Sequence, residues 1–168
     1  EFFNPNRFKN EFIKKYPDNE FKIAFDKNLV MLKQAKVLNW YKDYIEGDIT
    51  KKLPFEDNSL STIFSNIIYW IPDTFHIIGE IKRILKKNGY AILCVPDKRF
   101  INFCSSYKSH IESYKWLFKL NRGRNSCIAK YFNKDEIFLL AKKFDFNLVY
   151  HKEYLSKDLL AIWDIGLR

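Results

Sequence analysis

Apolar and polar positions along the 168-residue chain change period several times, from the two-residue step of strands to the three- and four-residue steps of helices. Phe8, Phe12 and Ile13 fall at near-helical spacing and predict a short helix over residues 7–15, which the turn Tyr16-Pro17-Asp18-Asn19 stops. A strand over residues 21–25 follows, closed by Asp26. Leu29, Met31, Leu32 and Ala35 then mark the inward face of a helix with Asn28 as its N-cap. Residues 41–46 read as a further strand ending in Gly47-Asp48, and residues 51–59 as a loop with Pro54 and the turn-forming Asp57-Asn58-Ser59.

The clearest pattern runs from Leu53 to Pro96: turn, strand, polar strand end, helix, glycine stop and second strand. The strand over residues 60–64 is rich in β-branched positions. Ile77, Ile78, Ile81, Ile84 and Leu85 form the stripe of an amphipathic helix that packs on a sheet, with Pro72 and Asp73 at its start. Lys86-Lys87-Asn88-Gly89 suits its end, because cations favour the negative helix pole and Asn or Gly tolerates the left-handed terminating conformation. Residues 90–95 are a near-continuous apolar run, expected of a parallel strand covered on both faces. Further on, helices are expected over residues 103–120 and 134–144, the latter with Ile137, Leu140 and Ala141 inward, around a basic turn at 121–125. A late strand is expected over 146–150, while 159–165 fits strand or helix equally. No repeat or linker divides the chain, so residues 1–168 are expected to form a single domain.

Composition supports one sizeable core, with 47% hydrophobic and 18% aromatic residues. No apolar run is long enough to span a membrane and no secretory leader is visible, which leads to the expectation of a cytoplasmic protein. Cys94, Cys104 and Cys127 lack the spacing of a metal or redox motif; they read as structural thiols, and no metal site is expected. The net charge of +9 raises a nucleic-acid reading, carried by Lys108, Lys115, Lys119, Arg122, Arg124 and Lys130 among Tyr107, Tyr114, Trp116 and Phe118. Because lysines are spread through every segment, a solvated surface is favoured over a dedicated nucleic-acid surface.

Three strand ends carry the candidate chemistry. Asp26 ends a strand where a carboxylate can accept hydrogen bonds from both hydroxyls of a ribose; capping the next helix explains it equally well. Asp48 and Ile49 follow a second strand end, an acceptor and an apolar surface of the kind an adenine ring needs, although turn chemistry also accounts for Gly47-Asp48. Ser65 and Asn66 form a polar end to a third strand, and ligands of open α/β sheets bind outside such carboxyl ends.

Gly47-Asp48, Leu53-Pro54-Phe55-x-Asp57-Asn58-Ser59, Phe64-Ser65-Asn66, Ile71-Pro72-Asp73, and Glu80-Ile81-x-Arg83-x-Leu85-Lys86 with Gly89 together resemble the class I S-adenosylmethionine-dependent methyltransferases, in the type 11 group related to the ubiquinone and sterol enzymes. The resemblance covers residues 21–96, and less specifically the run from Phe132 to Phe146. It implies an α/β, Rossmann-like class I methyltransferase sheet with helices on both faces, S-adenosylmethionine as cofactor, and methyl transfer to an unidentified acceptor. By the same resemblance the cofactor residues are Asp26 at the ribose with Lys27 beside it, Asp48 and Ile49 at the adenine, and Ser65 and Asn66 beside the methyl donor. The alternatives are a basic nucleic-acid-binding module and a non-catalytic methyltransferase-like scaffold.

Tyr69-Trp70 stands where the family often has Glu-His or His-His, either as packing or as an aromatic wall. Tyr69, His76 and His110 are available for proton transfer, yet none is assigned as a base. The family also carries a first strand and a glycine-rich loop ahead of its first helix, whereas this chain opens at Glu1-Phe2-Phe3 with no glycine before Gly47. That departure leads to the expectation that the sequence is a fragment lacking the central strand, or that further residues precede Glu1 in the protein itself.

Overall fold

The computed structural model describes residues 21–100, 128–156 and 158–159. The helices expected over 7–15 and 103–120, the basic turn at 121–125, His110, Cys104, Cys127 and nearly all of 159–165 lie outside the described residues. So do all the members of the cationic and aromatic cluster except Lys130. The chain divides into two compact units, Glu1–Phe55 and Glu56–Arg168.

In the first unit, strand β1 (Phe21–Asp26), helix α1 (Leu29–Leu38) and strand β2 (Tyr41–Glu46) form a β-α-β succession. The strands pair in parallel, from Phe21 opposite Tyr41 to Asp26 opposite Glu46. Asn28 caps α1 as expected, its side chain accepting from the Val30 N–H at 2.9 Å. Asn39 ends the helix at φ 55°, a left-handed conformation that asparagine tolerates better than most residues. The buried face is narrower than the spacing predicts: Leu32 is buried, while Leu29 and Met31 remain exposed. A two-stranded ribbon offers α1 a strip of surface, enough for Leu32 and the half-buried Ala35 but not for the wider stripe. Past β2, Gly47 donates its N–H to the Asp26 carbonyl at 3.1 Å and lies under the Phe25 ring. A Cβ on Gly47 would stand 2.5 Å from that ring, so the glycine is required by close approach.

In the second unit, strand β3 (Leu60–Ser65) leads into a 3-10 turn (Ile68–Trp70), helix α2 (Thr74–Ile84) and strand β4 (Leu85–Leu93). β3 and β4 form a second parallel pair, with Phe64 opposite Ile92 and Ser65 opposite Leu93. The core gathers Ile68, Ile77, Ile78, Ile81, Ile84, Leu85 and Phe132, and each such apolar side chain contributes about 1.5–3 kcal/mol when taken from water. Asp73 is the N-cap of α2, its Oδ1 accepting from the His76 N–H at 3.0 Å.

The far end of α2 departs from the expectation. The helix stops at Ile84 and Leu85 is already extended, pairing with Leu60, so Lys86-Lys87-Asn88-Gly89 is a bulge inside the strand and not a helix cap. The ladder resumes at Thr62 opposite Tyr90. Asn88 takes the left-handed conformation at φ 64°, whereas Gly89 has no positive φ. Gly89 is needed for space, since a Cβ there would lie 2.8 Å from the Ser61 carbonyl oxygen and 2.9 Å from Leu85 Cγ. The expected turn at Asp57-Asn58-Ser59 docks on the same corner. Asn58 and Ser59 donate N–H groups to the Arg83 and Ile84 carbonyls at 2.9 Å, and the Arg83 guanidinium joins Glu80 to Asp57.

Two other expectations are corrected. Phe64, Tyr90 and Ile92 share one face of the β3–β4 pair and are 51–66% exposed, so among the described residues this pair is covered on one face only. The late strand expected over 146–150 is not a strand; Val149 and Tyr150 are largely exposed, because the apolar run finds no ladder among the described residues.

Helix α3 (Lys134–Lys143) fulfils its expectation, with Ile137, Leu140 and Ala141 half-buried. Its start is a reciprocal capping box between Asn133 and Glu136. The end of α3 reaches α2: Phe144 comes within 3.4 Å of where a Cβ on Gly79 would lie, and Lys82 Nζ donates to the Asp145 carbonyl at 3.0 Å. No helix among the described residues is long and apolar enough to cross a membrane.

Candidate functional site

The parallel register of β1 and β2 brings four predicted residues to one end of the first unit. Asp26 is the last residue of β1, Lys27 follows it, and Asp48 and Ile49 lie just past the aligned end of β2. Both aspartates make local hydrogen bonds; Asp48 forms the turn expected of it, while the cap of α1 is Asn28 and Asp26 holds that cap residue instead of capping the helix itself. Asp26 Oδ1 accepts from the Asn28 N–H at 2.7 Å; Asp48 Oδ1 accepts from the Thr50 N–H and hydroxyl, both at 2.8 Å. Each carboxylate has a second oxygen with its own lone pairs, so turn formation and ligand binding are compatible. The Thr50 N–H, then the Thr50 hydroxyl, hold the Asp48 carboxyl below its usual range, and Lys27 and Lys51 add to this. Asp48 is therefore ionised at neutral pH, and Lys27 belongs to its surroundings.

The carboxyl end of β3 supplies the other two predicted residues. Ser65 is the last residue of the strand, and its Oγ is buried with no hydrogen-bond partner among the described residues. A buried hydroxyl left unpaired costs about 1–3 kcal/mol, a cost that a ligand hydrogen bond removes. The Ser65 carbonyl accepts from the Cys94 N–H at 2.9 Å, which prolongs the ladder past β4. Asn66 follows and is exposed.

Around this strand end the second unit builds a wall that sequence reasoning did not assemble. The 3-10 turn presents half-buried Tyr69 and exposed Trp70, their rings edge-to-face at 6.0 Å. Ala129 and Lys130 donate their N–H groups to the Tyr69 carbonyl at 2.8 and 3.1 Å. The same strap continues to Phe132, which bridges Asp97, and Tyr131 packs on Phe100 at 6.0 Å.

Arg99 then connects Asp97 to Glu153. Its Nε donates to Asp97 Oδ1 at 2.8 Å, and its Nη2 donates to Asp97 Oδ2 at 3.1 Å and to Glu153 Oε1. The Arg99 side-chain hydrogen bonds hold the Asp97 carboxyl below its ordinary range. Tyr154, next to Glu153, has its phenol pushed up by burial first, and then by Cys94 and Tyr69.

The segment from Asp97 to Lys130 carries no legible motif, and the Arg99 partner Glu153 lies 54 residues away. Among the histidines weighed as bases, His76 is exposed on the first turn of α2, its N–H spent on Asp73. Cys94 is a free, half-buried thiol. Among the described residues no cluster of His, Cys, Asp and Glu has the makeup of a metal site.

Residues 12–93 match the family model of the methyltransferase domain. No curated protein matches the chain in sequence. Solved structures show the same fold. A SAM-dependent methyltransferase of Thermotoga maritima is 21% identical with a TM-score of 0.57, over 86% of this chain and 60% of that one. A SAM-dependent methyltransferase of Methanosarcina mazei is 18% identical with a TM-score of 0.53, over 76% of this chain and 70% of that one. A methyltransferase candidate of Bacillus halodurans is 18% identical with a TM-score of 0.53, over 73% of this chain and 51% of that one. The chain therefore spans 51–70% of the length of these structures.

Proposed function

We propose that this chain, which has the Rossmann-like fold of the class I methyltransferases and carries their domain over residues 12–93, transfers a methyl group from S-adenosylmethionine to an acceptor. The observation that carries the reading is that each unit has a polar carboxyl strand end: Asp26, Lys27, Asp48 and Ile49 past β1 and β2 in the first, and Ser65 with Asn66 past β3 in the second. Ligands of open α/β sheets bind at such ends.

The residues present suit that cofactor. Asp26 has a carboxylate oxygen for the ribose hydroxyls beyond the one that holds its turn, and Asp48, ionised at neutral pH, accepts from the adenine amine while Ile49 covers the ring. Ser65 offers a buried hydroxyl that lacks a partner, and Asn66 both donates and accepts at the methionine end. When bound, S-adenosylmethionine supplies an electrophilic methyl on a cationic sulfur, which keeps the C–S electron pair as the acceptor's lone pair takes the methyl and its proton passes to water. The chain's own contribution is to hold the two reactants in line, which in a two-substrate reaction can supply much of the acceleration.

Isothermal titration of the full chain with S-adenosylhomocysteine tests the proposal. Binding is expected, weakened at least tenfold in Asp26→Asn, a loss of about 1.4 kcal/mol. Absence of any binding heat in the folded protein overturns the reading. Binding without turnover on any acceptor would instead favour the non-catalytic scaffold.

A further inference from the structure

We propose that the recess between α3 and the segment following it, together with the apolar residues that continue from it, is a docking surface for an anionic lipid bilayer. The inference goes beyond methyl transfer and stands independently of the cofactor reading. Phe138 and Leu139 on α3, with Phe146, Asn147 and Leu148 after it, line an open recess of about 290 Å³. The chain continues through Val149 and Tyr150, which with Leu139 are 68–76% exposed. Apolar surface gathered in one place and left in water marks an interaction site.

Three lysines stand around this recess. Lys142 lines it, Lys134 holds its ammonium 5.6 Å from the centre of the Phe138 ring, and Lys82 of α2 holds its own 5.0 Å from that of Phe146. Among the described residues none of the three forms an ion pair. Lys82 donates instead to a neutral acceptor, the Asp145 carbonyl, at 3.0 Å. No acidic side chain lines the recess, and Glu136 of α3 is committed to Lys98 and to the Asn133 N–H. The surface thus joins apolar side chains to cations that lack a carboxylate partner, and what it complements is an apolar body edged with anions.

Composition and shape select a bilayer as that body. Lysine is depleted at protein–protein interfaces, whereas lysine beside Phe and Leu is the makeup of elements that lie in the headgroup layer of a membrane. A protein partner must also supply a fitted pocket for each projecting side chain, and Leu139, Val149 and Tyr150 all project. Hydrocarbon chains close around side chains of any shape. The phosphates of anionic headgroups then supply the missing counter-charge to Lys82, Lys134 and Lys142.

Co-sedimentation of the full chain with vesicles tests the proposal, using phosphatidylcholine alone and phosphatidylcholine mixed with phosphatidylglycerol. Binding is expected with the anionic mixture only. Leu139→Ser combined with Val149→Ser changes no charge and no buried residue, and is expected to weaken binding about tenfold or more. Lys134→Gln combined with Lys142→Gln is also expected to weaken it by about tenfold or more, since each lysine near an anionic surface is worth about fivefold. A net charge of +9 by itself draws a protein to anionic surfaces, so the same charge is removed from the first unit as a control. That control, Lys33→Gln combined with Lys42→Gln, is expected to weaken binding less than the Lys134 and Lys142 pair does. Urea midpoints check that each variant folds; should the serine pair not fold, Tyr150→Ser removes apolar surface from the same patch. Equal losses from the two lysine pairs, or no loss from the apolar variants, overturn the proposal in favour of adsorption by overall charge. Absence of binding to the anionic vesicles overturns it as well, and leaves the recess to a protein partner.

Discussion

Single residues in this protein are constrained by space and charge more than by identity of the side chain alone. Gly89 is the sharpest case, since its place in β4 leaves under 3 Å between a new Cβ and the Ser61 carbonyl. Gly89→Ala is therefore expected to lower the melting temperature by several degrees, because the added methyl forces the backbone or Leu85 to shift. An unchanged transition in differential scanning calorimetry would show that the bulge absorbs the methyl. Asn88 next to it, at φ 64°, gives the opposite expectation: Asn88→Gly is neutral or slightly stabilising, while Asn88→Val costs about 1–2 kcal/mol in urea unfolding.

Charge at the residue scale is read through pH. Asp97, held low by its Arg99 hydrogen bonds, has a folded pKa below its ordinary value of 3.8. Its contribution is thus fully present above that value and is lost as pH falls through the lower folded value. Asp97→Asn is expected to flatten the fall in stability below pH 3.8, measured as urea midpoints at pH 3 and pH 7. Parallel acid limbs in the two proteins would refute the assignment.

Elements owe their boundaries to local caps and their survival to packing. α3 has no fully buried residue, so its capping box matters: Asn133→Ala is expected to cost about 1 kcal/mol, with local loss of amide protection through residues 134–137. α2 is the reverse, with Ile77, Ile78, Ile81 and Ile84 buried. Ile81→Ala is expected to cost about 2–5 kcal/mol in chemical unfolding, the transfer of the lost methyls plus the cavity they leave. α1 lies between the two, since only Leu32 is buried; of its caps, Asn28 was read from the sequence and Asn39 was not. The error over 86–89 has a plain cause. A cationic Asn-Gly run ends helices often, but here Leu85 had already found a partner in Leu60, and the run became a bulge in a strand.

At the scale of the whole molecule, the prediction is thermodynamic linkage. A ligand that binds the folded chain alone stabilises it by about 2.7 kcal/mol at a hundredfold excess over its dissociation constant. For a chain of this size that corresponds to a rise in melting temperature of roughly 5–10 °C with S-adenosylhomocysteine. A melting temperature indifferent to saturating ligand would contradict specific binding to the native state.

What the sequence by itself determined were the features whose causes lie within about four residues. Helices announced by the Ile77-to-Ile84 stripe, by Asp73 and by the spacing of Ile137, Leu140 and Ala141 are of this kind, as are the strands before Asp26 and Ser65 and the polar ends those strands carry. Hydrogen-bonding side chains and 3.6-residue periodicity act over that range, so the chain displays them unfolded. Tertiary structure alone decided which strand faces stay open at Phe64, Tyr90 and Ile92, why residue 89 must be glycine, and that Arg99 reaches Glu153 across 54 residues. Those outcomes depend on which distant surfaces meet, and a contact between residues far apart in sequence leaves no period and no cap by which the chain could reveal it beforehand.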